Sequence, residues 1–247
     1  MAAFRLAWEQ GADGIEGDFR LTADGGIICM HDKSSKRTGG RDFSVAETAL
    51  DRLQQLEVGS WKGEEFRGER PPTLEQVLSE LPDGKVFFIE LKSGREIMPA
   101  LAKVIDPAIA REPGLVGHLS FISFDAAVVA SCRKRWPQIK ANWLVSFKQD
   151  KVTRVWSPAR SVIISKLRAS GATGVGVQAE PTQVDRELVR EVRDTGLEFH
   201  CWTVNEVELA RRFEDLGADS ITTDLPLTLG RGLRSAAEAG GGGSGGG

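Results

Sequence analysis

Two short segments combine acids with the spacing of strands: Gly14-Ile15-Glu16-Gly17-Asp18-Phe19, and Phe88-Ile89-Glu90-Leu91-Lys92. A strand points residues i and i+2 to one face, so Glu16 and Asp18 share a face, as do Glu90 and Lys92. Ile15, Phe19, Ile89 and Leu91 then fall on the opposite face. Any one of these acids alone is more often a solvated strand end. Three carboxylates on segments that otherwise read as buried need compensation, because a carboxylate removed from water without a partner is costly. A divalent cation supplies it. Oxygen ligands without a neighbouring Cys or His cluster favour Mg²⁺ or Ca²⁺ over zinc, so Glu16, Asp18 and Glu90 are read as one metal site.

A third segment, Ile27-Ile28-Cys29-Met30-His31-Asp32, is a short apolar run ending in an imidazole and a carboxylate. The intervening Leu21-Thr22-Ala23-Asp24-Gly25-Gly26 carries the Asp-Gly signal of a hairpin turn, which would fold His31 back toward the acidic strand. His31 is therefore a candidate proton donor or acceptor, although a lone His at a strand end is more often a surface or packing residue.

The bulk composition narrows the setting. With 247 residues, 40% hydrophobic and 27% charged, the chain is long enough for one large domain or two small ones. A net charge of −3 offers no basic field for nucleic acid or an anionic membrane. Cys29, Cys132 and Cys201 are few and scattered, which argues against a disulfide framework and for a reducing, cytoplasmic setting. No apolar run reaches a membrane span, and the N-terminus lacks the regions of a signal peptide.

Strand and helix periods alternate along the chain. Strands are expected over 14–19, 85–91, 118–123, 140–145, 174–178, 198–203 and 219–223, and helices over 73–81, 96–110, 125–135, 182–195 and 206–216. This βα alternation indicates an α/β parallel sheet, either a barrel or a doubly wound sheet. The barrel is favoured because no Gly-x-Gly-x-x-Gly follows the first strand and acids at several strand ends would converge at one mouth. Residues 33–72 break the alternation; with Leu53, Leu56, Val58, Trp61 and Phe66 as apolar anchors they read as an inserted subdomain over the mouth. Residues 1–239 would form the barrel, and 240–247, seven glycines and Ser244, a flexible tail or linker.

Together these segments resemble the glycerophosphodiester phosphodiesterase family, over almost the whole chain. Ala12 through Asp18 with Thr22-x-Asp24-Gly25 and His31-Asp32 is similar to the family's metal-and-histidine signature. Gly59-Ser60-Trp61, Phe66-x-Gly68-Glu69 and Pro72 through Leu78 look like its insertion and following helix. Ile89-Glu90-Leu91-Lys92, Ser123-Phe124-Asp125, Trp202-Thr203-Val204-Asn205 and Thr223-Asp224-x-Pro226 follow in the family's order. The resemblance implies a TIM-type (β/α)8 barrel binding one divalent cation through Glu16, Asp18 and Glu90. Lys92 would stand near the phosphate, and Trp202 would wall the pocket for the alcohol portion. His200 has no counterpart and reads as packing.

The implied reaction is metal-dependent hydrolysis of a glycerophosphodiester to sn-glycerol 3-phosphate and an alcohol, with His31 as general acid or base. One departure bears on it. The family pattern opens with a strand carrying His-Arg-Gly, then Pro-Glu-Asn-Thr, and this sequence starts where that motif would end. A wrong start, a fragment or a rearranged chain would each account for this. The first barrel strand, a second histidine and a phosphate-holding arginine are then missing, and the chain by itself is expected to be poorly stable and nearly inactive. The alternative reading is a truncated or degenerate barrel that binds metal or phosphodiester without efficient catalysis. A lyase or aldolase using Lys92 as a Schiff base is disfavoured, because Glu90 on the same face keeps that amine protonated.

Overall fold

A computed structural model describes residues 1–240, so the expected tail is outside it from Gly241 onward. The chain divides into two compact units, residues 1–8 with 13–142 and residues 9–12 with 143 onward.

The first unit opens with α1 (Ala2–Glu9), β1 (Gly14–Leu21) and β2 (Ile27–Cys29). In β1 burial alternates: Ile15, Gly17 and Phe19 are buried, while Glu16, Asp18 and Arg20 lie on the other face and are less so. The turn is built by Thr22, whose hydroxyl donates to Asp24 Oδ1 at 2.6 Å and accepts from Gly26 N–H at 2.9 Å. Gly25 takes the left-handed conformation, φ 84°, that the turn demands. β2 then returns antiparallel, with Phe19 opposite Cys29, and the pairing extends one residue further where Met30 N–H donates to the Asp18 carbonyl at 2.8 Å.

The insertion contains α2 (Lys36–Gly39) and α3 (Leu50–Gln54). It forms a core of its own around Val45, Leu53 and Leu56, joined by Ile28 and Met30 and flanked by Phe43, Leu50 and Val58. Of the expected anchors, Trp61 is not buried; it is 54% exposed, with its indole N–H donating to the Val58 carbonyl at 2.9 Å. Gly59 is held by a close approach: a Cβ there would lie 1.8 Å from the Phe66 carbonyl oxygen. α4 (Leu74–Ser79) follows, opened by a capping box in which Thr73 and Gln76 each accept the other's backbone N–H.

Next come β3 (Val86–Leu91), α5 (Met98–Arg111), β4 (Leu119–Ser123) and α6 (Ala126–Arg135). β3 lies parallel between β1 and β4. Phe87, Ile89 and Leu91 are buried on one side of it, where Phe19 meets Phe87 edge-on at 5.8 Å and Phe4 of α1 meets it at 6.3 Å. α6 is capped by Asp125, which accepts from Ala127 N–H at 2.8 Å. β5 (Lys140–Val145) is the strand at which the units divide.

The second unit contains β6 (Lys148–Gln149) and β7 (Trp156–Ser157) as a small antiparallel hairpin, then α7 (Arg160–Ser170), β8 (Gly174–Gln178), α8 (Arg186–Arg193), β9 (Glu198–Trp202), α9 (Val207–Asp215), β10 (Ser220–Ile221) and α10 (Pro226–Gly240). β8, β9 and β10 run parallel in that order. The helices α7, α8 and α9 bury Ile163, Leu167, Leu188, Val192 and Phe213. α7 is absent from the sequence-based expectation, because it starts at Ala159 without a side-chain cap and its apolar residues form no sharp stripe. Among the described residues no helix is long and apolar enough to cross a membrane.

The close approach at Gly59 makes the insertion sensitive to a single methyl group. Gly59→Ala should cost about 1–3 kcal/mol in urea unfolding, with faster hydrogen exchange concentrated in 57–69. A variant as stable as the parent would show that the loop has slack there.

Candidate active site

The parallel pairing of β1 with β3 sets Asp18 directly opposite Glu90 and Glu16 opposite Phe88. Because side chains at paired positions point to the same face, Asp18 and Glu90 stand side by side, with Glu16 one pleat back. One carboxylate oxygen from each of Glu16, Asp18 and Glu90 lies within 4.8 Å of the others. Lys92, two residues beyond Glu90, brings its ammonium to 2.7 Å from Glu90 and 3.1 Å from Asp18. Of the five expected residues of this unit, Glu16, Asp18, Glu90 and Lys92 are therefore one cluster. Its three carboxylates and one ammonium leave an excess of two negative charges, which a divalent cation would balance. The donors are all hard oxygens, so the set fits Mg²⁺ or Ca²⁺.

The electrostatics follow from burial and proximity. Burial raises the pKa of Glu90, and the neighbouring Asp18 adds to the rise while Lys92 opposes it. Lys92 shows the reverse balance: burial would lower its pKa, but hydrogen bonding to Glu90 and the charges of Asp18 and Glu90 carry it above the ordinary lysine value. An amine so held is kept protonated, a state unsuited to a Schiff-base nucleophile. Phe124, 43% exposed, has the Lys92 ammonium 5.7 Å from its ring centre, and Ser123 ties this loop to β3 by donating to the Leu91 carbonyl at 2.8 Å.

His31 follows the residue bonded to the Asp18 carbonyl, so the hairpin does return it alongside the acidic strand. Its side chain is 62% exposed. Nδ1 lies 2.8 Å from Asp32 Oδ1, and the other Asp32 oxygen accepts from Arg37 Nε at 2.6 Å. Arg37, then His31, hold the Asp32 carboxyl down to about 2, so it remains an anion throughout the range in which imidazole titrates. Arg37 also lies 5.6 Å from the Trp61 ring. Asp32 was marked in the sequence by the His31-Asp32 motif but without a role of its own, and Arg37 carried no signal there.

Trp202 belongs to the second unit, at the end of β9. Its indole N–H donates to the Gly176 carbonyl at 3.0 Å, and it lies across the bare Cα of Gly176, where a Cβ would be 3.5 Å from the ring and 2.7 Å from Leu144. The adjoining motifs close on each other: Asn205 accepts from Thr223 Oγ1 at 3.1 Å and from Asp224 N–H at 2.9 Å, and donates to the Asp224 carboxylate at 2.9 Å. His200 is 2.8 Å from Ser220 Oγ and 3.4 Å from Glu198, with only 12% of its side chain exposed, as a packed histidine would be.

The sequence model of the Glycerophosphoryl diester phosphodiesterase family matches residues 1–228. A glycerophosphodiester phosphodiesterase of Caldanaerobacter subterraneus subsp. tengcongensis is 32% identical over 231 residues, covering 93% of this chain and 89% of its own. Among solved structures, an Oleispira antarctica phosphodiesterase in complex with the product sn-glycerol-3-phosphate superposes with a TM-score of 0.77 at 24% identity, covering 94% of this chain and 90% of that one. A glycerophosphodiester phosphodiesterase from Parabacteroides distasonis gives 0.71 at 26% identity, covering 94% and 88%. The fold class is the expected α/β, TIM-type barrel. With the family match spanning nearly the whole sequence, this chain belongs to the glycerophosphoryl diester phosphodiesterase family.

Proposed function

We propose that the chain hydrolyses glycerophosphodiesters to sn-glycerol 3-phosphate and an alcohol, in a metal-dependent reaction centred on Glu16, Asp18 and Glu90. The observation that carries this reading is the convergence of three carboxylates from two paired strands within 4.8 Å, next to a protonated lysine. Bound there, Mg²⁺ or Ca²⁺ would polarise the phosphoryl oxygens and stabilise the charge that develops on them. Lys92 adds a fixed positive charge beside the acids, suited to a phosphate oxygen. His31 is assigned the proton transfer; Asp32 selects the ring tautomer with the proton on Nδ1 and leaves Nε2 to exchange a proton with the substrate or water. Trp202 keeps its assignment to the alcohol portion on the family resemblance. Residues 33–72, which supply Arg37 to the Asp32 contact, are assigned to the mouth and to the choice of alcohol.

Metal binding should depend jointly on the three acids, since a hard cation gains affinity with each converging carboxylate. In calorimetry with Mg²⁺ and with Ca²⁺, Glu16→Gln and Glu90→Gln should each weaken binding; unchanged affinity in both would remove the metal assignment.

Hydrolysis of glycerophosphocholine in the presence of Mg²⁺, followed by release of glycerol 3-phosphate, tests the activity itself. His31→Ala should lower turnover by about 10²–10⁴-fold, the usual contribution of a general acid or base. A His31→Ala protein that turns over like the parent would exclude His31 from proton transfer.

A further inference from the structure

Arg20 has no part in the chemistry above, yet it lies on the β1 face that carries Glu16 and Asp18. Its guanidinium is aimed at the backbone. Nε and Nη2 both donate to the carbonyl of His31, at 3.2 and 2.6 Å, and Nη1 makes a longer contact, 3.4 Å, with the carbonyl of Lys92. One half-buried side chain thus touches the main chain of the assigned proton-transfer residue and of the assigned phosphate-binding residue.

Apart from the contact of Nδ1 with Asp32, little else fixes His31. Its imidazole is 62% exposed, so packing does not hold it. The neighbouring backbone is tied on either side, by Met30 N–H to the Asp18 carbonyl and by Val45 N–H to the Lys33 carbonyl, and between them the His31 carbonyl is bonded by Arg20. A guanidinium fork fixes a carbonyl in direction as well as distance, which a lysine ammonium cannot do. Holding the His31 carbonyl restrains ψ at His31 and so narrows the directions in which its Cα–Cβ bond can project.

We propose that Arg20 is a positioning residue that clamps the His31 peptide, and with it the imidazole, against the strand end bearing Lys92. The inference rests on the assignment of His31 to proton transfer, and it concerns orientation: the hydrogen bonds of Arg20 go to the backbone carbonyls of His31 and Lys92.

The test uses the full chain with Arg20→Lys, which keeps the charge and loses the fork, and Arg20→Gln as a second variant should the first not fold. The chain has three histidines, His31, His118 and His200, so their ring Cε1–H signals can be followed separately by NMR. The expected result is a displaced or broadened His31 signal with those of His118 and His200 unchanged, and Mg²⁺ affinity no weaker than the parent's. Turnover should fall by up to about 10²-fold, as for a misplaced catalytic group, with KM unchanged. In a His31→Ala background the same substitution should change turnover by less than about twofold, because its effect passes through His31. An unmoved His31 signal overturns the proposal, as does an undiminished penalty in the His31→Ala background. Full turnover by His31→Ala alone instead defeats the proton-transfer assignment, and the NMR comparison still decides whether Arg20 orients the ring.

Discussion

Asp18 and Glu90 stand opposite one another because β1 and β3 pair in parallel with that register, and the register is held from the other side of the strands. There Phe19, Phe87 and Ile89 are fully buried, with the two phenylalanines edge to face. A slip of one residue would turn the acids into that apolar layer and the aromatic rings out of it, at a cost of several buried side chains. Hydrophobic packing therefore holds together carboxylates that repel each other. Lys92 offsets part of the repulsion, while the pKa of Glu90 is raised chiefly by its burial and further by Asp18.

His31 is placed by different means. It lies just past β2, on backbone rather than in a packed layer, and its ring is oriented through polar contacts. Asp32 holds the ring, Arg37 from the insertion holds Asp32, and Arg20 from β1 holds the His31 carbonyl. The insertion is thus joined to the site in two ways: by the apolar core it shares with Ile28 and Met30, and by the Arg37–Asp32 ion pair. An exposed ion pair alone contributes little to stability. Here its consequence is directional, since it leaves the Asp32 carboxylate charged and the imidazole with a defined partner.

The second unit shows how separated motifs are brought into one local network. Asn205 receives the Thr223 hydroxyl and the Asp224 N–H, so the segments after β9 and after β10 close on each other through one amide side chain. The bare Cα of Gly176 allows the Trp202 indole to lie over β8 and reach its carbonyl. Each of these contacts joins residues that are neighbours only because β8, β9 and β10 run parallel side by side.

Much of this was legible in the sequence. The period-two alternation of Ile15 and Phe19 against Glu16 and Asp18 identified a strand and its acidic face, and the Asp-Gly turn returned His31 to it. Strand positions such as 140–145 and 174–178 were set by apolar runs between turn residues, and the motif order identified the family. α7 was not legible, because its start lacks a capping side chain and its burial depends on what packs over it. The exposure of Trp61, and the contacts of Arg20 and Arg37, were equally hidden. Local periodicity states which face a side chain takes. Which backbone carbonyl a long flexible guanidinium reaches, and which strand pairs with which and in what register, depend on distances between segments far apart in the chain, and those exist only once the core has packed.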